Sequence, residues 1–359
     1  RKIIRRRYGP KNRMTKRLSQ RFETVSFFAV VVGRRTDRSR GEKAEFGKRR
    51  SVKITIFETE RSQSCRAAIF PPKPTHMEIK SLEKTDFDTL FRAFGRAFAD
   101  YEVQLNAEQL RAMLTRRGFD PALSFAAFDG VQIAAFTLNG IGNFNGVPTA
   151  YDTGTGTLKE YRGTGLGTEI FRHSMPHLRR AGVGQYLLEV LQHNTRAVSV
   201  YRNLGFETIR EFNYFCRANT EIADRGDTPR LPHSVRRTDP EKFASISSFW
   251  DFTLSWQNSF ESIGRAAGDF VSLGVFIEEE LVGYCVFEPA SGDVAQIAVK
   301  RQYRRKGIAG LLLREMLRLN RNDSLKIINT DVSCDSMTGF LQAKNIVPQG
   351  KQFETIRKI

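Results

Sequence analysis

A short basic stretch punctuated by glycine occurs twice in this chain. The first copy is Arg162-Gly163-Thr164-Gly165-Leu166-Gly167 and the second is Arg304-Arg305-Lys306-Gly307-Ile308-Ala309. Each copy follows a strand-like segment, Asp152 to Leu158 and then Asp293 to Val299, and each opens an apolar-periodic helix. Glycines let backbone N–H groups come close to a ligand, and the first turn of a helix presents unpaired donors at its positive end. The stretch is therefore suited to a phosphate-bearing anion. A dinucleotide fingerprint is excluded, because Gly163 and Gly165 are followed by Thr168 where a third glycine belongs. No G-K-[ST] run follows a glycine spacer, which excludes a P-loop.

The surroundings of the stretch repeat as well. Before the first copy the pattern predicts a strand over 77–82, a helix over 85–98 with Thr85 as N-cap, and a helix over 106–117 closed by Gly118. A hairpin follows, with strands over 123–128 and 131–138 about an Asp129-Gly130 turn, then a loop over 139–146 and a strand over 149–158. After the first copy come helix 166–180, strand 186–191, helix 195–204 and strand 206–215. The order then recurs: strand 231–236, helix 240–249, a less regular helical stretch over 251–265, and hairpin strands 272–278 and 281–288. Strand 293–300, helix 308–320, strand 325–332, helix 335–344 and strand 352–359 complete it. A unit of this length is a domain rather than a solenoid repeat. The expected organisation is a basic extension over 1–76, a first domain over 77–217, a linker over 218–230 and a second domain over 231–359. Both domains are mixed α/β.

Net charge decides little until it is located. The chain carries +18, but residues 1–76 hold 22 Lys and Arg against 6 Asp and Glu, leaving the remainder at +2. The near-neutral remainder argues against nucleic acid as a partner of residues 77–359. For residues 1–76 three readings stand open: a nucleic-acid-binding arm, a disordered leader, or a segment foreign to the natural protein. Cys65, Cys216, Cys285 and Cys334 are widely spaced and the five histidines scattered, so neither a metal site nor a disulfide framework is expected. The apolar run Val25 to Val32 is too short for a membrane span and lacks a cleavage site after it. A soluble cytoplasmic protein is the reading.

Residues 77–217 and 231–359 resemble two tandem domains of the GNAT superfamily of acetyl-CoA-dependent N-acyltransferases. The resemblance rests on Q/R-x-x-G-x-G/A, matched by Arg162 to Gly167 and by Arg304 to Ala309. It implies the fold class: two tandem GNAT-like domains, each a mixed central sheet flanked by helices. It also implies that the amides of Gly163, Thr164, Gly165, Leu166 and Gly167, with Arg162, hold the CoA pyrophosphate. Arg304, Arg305, Lys306, Gly307, Ile308 and Ala309 would do so in the second half. Thr157, Leu158 and Val299 stand where the preceding strand lends backbone groups to the pantetheine arm.

A second signature, Asn then a helical Tyr then Gly-Phe, is complete in the first half as Asn194, Tyr201, Gly205 and Phe206. By resemblance Asn194 seats the arm and Tyr201 is the general acid. Amine attack on a thioester builds an oxyanion and expels a thiolate, so an aimed N–H and a nearby phenol meet its demands. The second half has Ser333-Cys334-Asp335 where Asn is due, and Phe340 or Leu341 where Tyr is due, and neither of these can donate a proton. Asp152 and Glu189 read as structural acids, Cys334 as a packing residue, and Trp250, Phe252, Trp256 and Phe260 as core or inter-domain packing. The expectation is acetyl transfer from acetyl-CoA to a primary amine of a small molecule or peptide, without metal, in the first domain. The rivals are a non-catalytic acyl-CoA-binding scaffold and a nucleic-acid-associated protein acetyltransferase that uses the basic arm.

Overall fold

The computed structural model describes residues 77–100, 104–223, 229 and 231–359. The three readings of 1–76, the apolar run at Val25 to Val32 and much of the 218–230 linker lie outside the described residues.

Twelve strands form one sheet. In the first half they are β1 (Met77–Ser81), β2 (Phe125–Asp129), β3 (Gln132–Phe144), β4 (Val147–Thr157), β5 (Gln185–Leu191) and β6 (Glu207–Ala218). The second half supplies β7 (Ser234–Arg237), β8 (Val271–Ile277), β9 (Glu280–Glu288), β10 (Asp293–Val299), β11 (Ser324–Asp331) and β12 (Pro348–Lys358). The order across the sheet is β1-β2-β3-β4-β5-β12-β6-β11-β10-β9-β8-β7. Each half's closing strand has thus crossed over: β12 pairs with β5, and β6 pairs with β11. The two halves are interleaved through backbone ladders rather than merely abutting.

Seven helices cover the sheet among the described residues: α1 (Phe87–Ala97), α2 (Ala107–Arg117), α3 (Leu166–Arg180), α4 (Thr195–Asn203), α5 (Phe260–Arg265), α6 (Ile308–Leu319) and α7 (Asp335–Ala343). Amphipathic spacing explains their docking. Leu90, Phe94 and Ala97 of α1 join Leu110 and Leu114 of α2 over Phe136 and Leu138. Phe171, Met175 and Leu178 of α3 meet Tyr201 of α4 over Tyr186 and Leu188. Each buried Phe or Leu contributes roughly 1.5–3 kcal/mol relative to exposure.

Three local expectations change. Asp86, not Thr85, caps α1, its Oδ1 accepting from Thr89 N at 2.8 Å. The Gly- and Asn-rich stretch 139–146 is not a loop: β3 runs through it to Phe144, and the turn falls at Asn145-Gly146, both with positive φ. Its glycines serve close approach, since a Cβ on Gly140 would lie 2.0 Å from Arg117 O. Finally, 240–249 forms two short 3₁₀ turns instead of a helix, and within 251–265 only Trp256–Asn258 (3₁₀) and α5 are helical. Ser248 Oγ bonding back to Ser245 O at 2.6 Å shows how serines there compete with a regular helix.

Candidate active site

In both halves a parallel strand pair splays apart. β4 and β5 are in register only from Thr149↔Gln185 to Tyr151↔Leu187, and β10 meets β11 only at Asp293↔Lys326. Beyond those points the strands diverge, and each continuing strand carries a bulge, at Thr153 opposite Leu138/Asn139 and at Ala295 opposite Phe287/Val286. A bulge at a splay turns backbone groups out of the ladder, where a ligand can use them.

The second splay holds a cavity of about 1040 Å³. One wall is β10 from Val294 to Val299, another is β11 from Ile327 to Thr330, and Arg304 to Gly310 form the end at the N-terminus of α6. Every lining residue belongs to the second half. Helix α6 begins at Gly307 (φ 86°) with no side-chain cap, so its first-turn amides have no partner from the N-cap side chain. Arg305 takes the left-handed conformation (φ 60°) that Gly163 takes in the first copy. An arginine held there is strained, a state that clusters at ligand-binding sites.

The arginine that opens each motif is a brace. Arg304 donates to Val299 O and Phe249 O, each at 3.0 Å, and to both oxygens of Asp251 at 3.0 and 2.8 Å. Asp251 also accepts from Ser336 Oγ at 2.6 Å, which ties the 3₁₀ segment, the glycine loop and α7 together. Arg162 is held the same way by Thr157 O, Ala97 O and Asp100. Arg162 and Arg304, expected at the phosphates, are engaged in this bracing, and Arg305, Lys306 and Lys344 are the other cations that line the second cavity.

A polar chain sits inside the second cavity. Trp250 Nε1 donates to Tyr284 Oη at 2.6 Å, Tyr284 donates to Gln296 Oε1 at 2.8 Å, and Gln296 Nε2 donates to Asn258 O at 2.7 Å. Burial raises the Tyr284 pKa, so the phenol stays protonated at neutral pH. Sequence reasoning missed Tyr284, Gln296 and Asp251. Only the repeat could have marked Asp251, as the counterpart of Asp100.

Protein side chains pack closely around the first splay. Gly154 and Gly156 admit Phe94, Ala97 and Phe136 rather than a ligand: a Cβ on Gly156 would lie 2.6 Å from the Phe136 ring and 3.0 Å from Ala97 Cβ. Trp256, from the second half, stacks on Tyr151 with centroids 5.1 Å apart and planes at 6°. Gln257 Oε1 accepts from Arg117, which is buried and also donates to Thr153 O. Trp256 is therefore inter-domain packing, as expected, whereas Trp250 and Phe252 line the second cavity.

Tyr201 is buried against Phe206, and its hydroxyl donates to Asp152 Oδ2 at 3.0 Å. Asn194 is the N-cap of α4, accepting from Ala197 N at 3.2 Å. Thr157 and Leu158 are buried, while Gly163 and Gly165 have positive φ and open space where a Cβ would stand. Desolvation pushes Asp152 up to about 6 and Glu189 up to about 7. Glu189 accepts from Tyr151 and from Asn329 Nδ2, so both acids are tied into the structure.

The matching helix of the second half resolves the remaining ambiguity. Cys334 stands at the N-cap of α7, where Asn194 stands for α4. Phe206 N bonds Tyr201 O, and Ile346 N bonds Leu341 O in the same turn, so Leu341 is the counterpart of Tyr201. Cys334 is buried but lines the cavity.

The model of the acetyltransferase (GNAT) family matches residues 86–206 and 234–338, the core of each half. The chain belongs to the GNAT acetyltransferase family. Among curated proteins it is similar to a mycothiol acetyltransferase of Thermobifida fusca, 33% identical over 150 residues, which is 39% of this chain and 46% of that protein. The chain thus spans about half the length of the curated relatives it matches. Among solved structures it resembles a tandem GNAT protein from the clavulanic acid biosynthesis pathway (TM-score 0.61, 14% identity, 79% of this chain and 98% of that one). It also resembles a GCN5-related N-acetyltransferase from Sphaerobacter thermophilus (TM-score 0.59, 13% identity, 79% and 96% coverage). These likenesses carry the fold, including its duplication.

Proposed function

We propose that this GNAT protein transfers an acetyl group from acetyl-CoA to a primary amine of a small molecule, with the cosubstrate held in the second half. The observation that carries this reading is the cavity of about 1040 Å³ between β10 and β11, closed at one end by Arg304 to Gly310. The residues there fit an acyl carrier. The uncapped N-terminus of α6 with Arg305 and Lys306 would hold the phosphates, and the edge of β10 freed by the splay, through Val299, would hold the amide-bearing arm. Gly307, Ile308 and Ala309 let the loop backbone face the cavity. When bound, acetyl-CoA supplies a thioester-activated acyl group.

The chain's own residues orient the amine and shield the site. The bulge at Ala295 is the backbone feature suited to placing an N–H against a developing oxyanion. Tyr284 and Gln296 offer hydrogen bonds to the acceptor, and α7 brings no phenol because Leu341 replaces it. Among the described residues no three His, Cys, Asp or Glu side chains are grouped to hold a metal, and no helix is long and apolar enough to cross a membrane.

A second reading puts the chemistry in the first half, on the Tyr201–Asp152 pair and the open space beside Gly163 and Gly165. Free CoA release, measured with small amines, polyamines, aminoglycosides and peptide N-termini, tests the transfer itself. Turnover with one class supports it; tight acetyl-CoA binding without turnover on any class would favour a scaffold.

A further inference from the structure

On the outer face of the first half, three arginines from two distant segments converge on a cavity of about 370 Å³. Arg172 and Arg179 lie two helical turns apart on α3, and Arg357 reaches in from β12. Met175, Pro176 and Leu204 form an apolar floor between them. Among the described residues none of the three has a carboxylate partner. Arg357 is anchored instead with its guanidinium carbon 5.3 Å from the centroid of the Phe171 ring, beside the left-handed Gly205 that ends α4.

The corresponding face of the second half carries ion pairs instead. There Arg318 of α6 pairs with Glu315 at 2.8 Å, and Arg217 of β6 pairs with Glu221 at 3.1 Å. Across β5 from Tyr186 stands Arg357; at the matching place across β11 from Lys326 stands Cys216. His173 follows Arg172 on α3 where Glu315 follows Arg314 on α6, and the acid of α3, Glu169, stands in its first turn, outside the residues that line the cavity. The helix dipole accounts for Arg179 in the last turn of α3, but not for Arg172 or Arg357. Like charges gathered without a counter-ion repel, and burial together with Arg179 lowers the Arg357 pKa accordingly.

We infer that this cavity binds a small phosphate monoester, the phosphate held by Arg172, Arg179 and Arg357 and its organic part lying on Met175, Pro176 and Leu204. Planar guanidinium groups suit a phosphate through paired N–H donors, and the apolar floor favours an organic ester over the bare ion. The site is separate from both glycine loops and does not depend on the acetyl-transfer reading.

Calorimetric titration of the full chain with phenyl phosphate tests this, with the arginine variants below separating this site from the two glycine loops. One equivalent should bind, more tightly than inorganic phosphate, and salt should weaken it. Affinity should fall by about tenfold or more in Arg357→Ala and in Arg179→Glu, the latter at an exposed position. Arg318→Ala, in the second half, should leave it unchanged. Equal affinity in Arg179→Glu, no binding at low salt, or benzoate binding as tightly as phenyl phosphate would overturn the assignment.

Discussion

The two halves share a fold and a glycine motif, yet side chains crowd the first splay while the second lines a cavity. In the first, a regular α1 lays Phe94 and Ala97 onto Gly154 and Gly156, and Trp256 and Gln257 arrive from the other half. In the second, the place of α1 is taken by 3₁₀ turns, and Tyr284 and Gln296 line a cavity. The shared motif does not by itself tell the halves apart, because its lead arginine is an internal brace in both. What differs is the covering element.

The largest expected effect concerns the acid that only the first splay buries. Glu189 is raised from 4.5 to about 7, so between those pH values the folded chain keeps a proton that the unfolded chain gives up. Its contribution to stability is full below pH 4.5 and is lost as pH rises through about 7. Glu189→Gln should remove its share of that slope, roughly 3 kcal/mol across the window, leaving the share of Asp152, which is raised to about 6. Denaturant unfolding at a series of pH values measures it; an unaltered slope would mean that Glu189 is not the titrating group.

Next is the brace. Asp251→Ala frees Arg304 and Ser336 together and should cost roughly 2 kcal/mol while raising the KM for acetyl-CoA severalfold. Its counterpart Asp100→Ala, whose side chain is 50% exposed, should change the KM little. Equal effects from both would erase the distinction between the halves. Smaller still, Arg305→Gly relieves a left-handed residue and should stabilise the fold by about 1 kcal/mol, while weakening acetyl-CoA binding through the lost charge. Stability and affinity moving in the same direction would remove Arg305 from the phosphate site. Tyr201→Phe should cost about 1 kcal/mol by depriving Asp152 of a donor, and leave turnover within about twofold. A tenfold loss of turnover would return the chemistry to the first half.

Most of the architecture was legible because period and turn chemistry agree along the chain. Asn106 and Gly118 bound α2 as read, and both glycine loops open helices at the expected residue. The stretch 139–146 misled because its Gly and Asn content reads as loop, whereas the glycines make room for Arg117 and Arg265. The strand exchange was not legible, since β6 and β12 would pair equally well within their own halves by local pattern. For the site, the sequence favoured Asn194 and Tyr201, and their spacing does bring Tyr201 beneath the sheet. Whether space exists above a strand depends on side chains such as Phe136 and Tyr284, which reach the splay from a neighbouring strand.

Calorimetry with acetyl-CoA on the unaltered chain and on Gly165→Val and Gly307→Val tests the central claim most directly. Valine cannot comfortably adopt the positive φ of either position, 88° and 86°. One equivalent is expected to bind to the unaltered chain and to Gly165→Val, and none to Gly307→Val. Binding that survives in Gly307→Val and vanishes in Gly165→Val would contradict it.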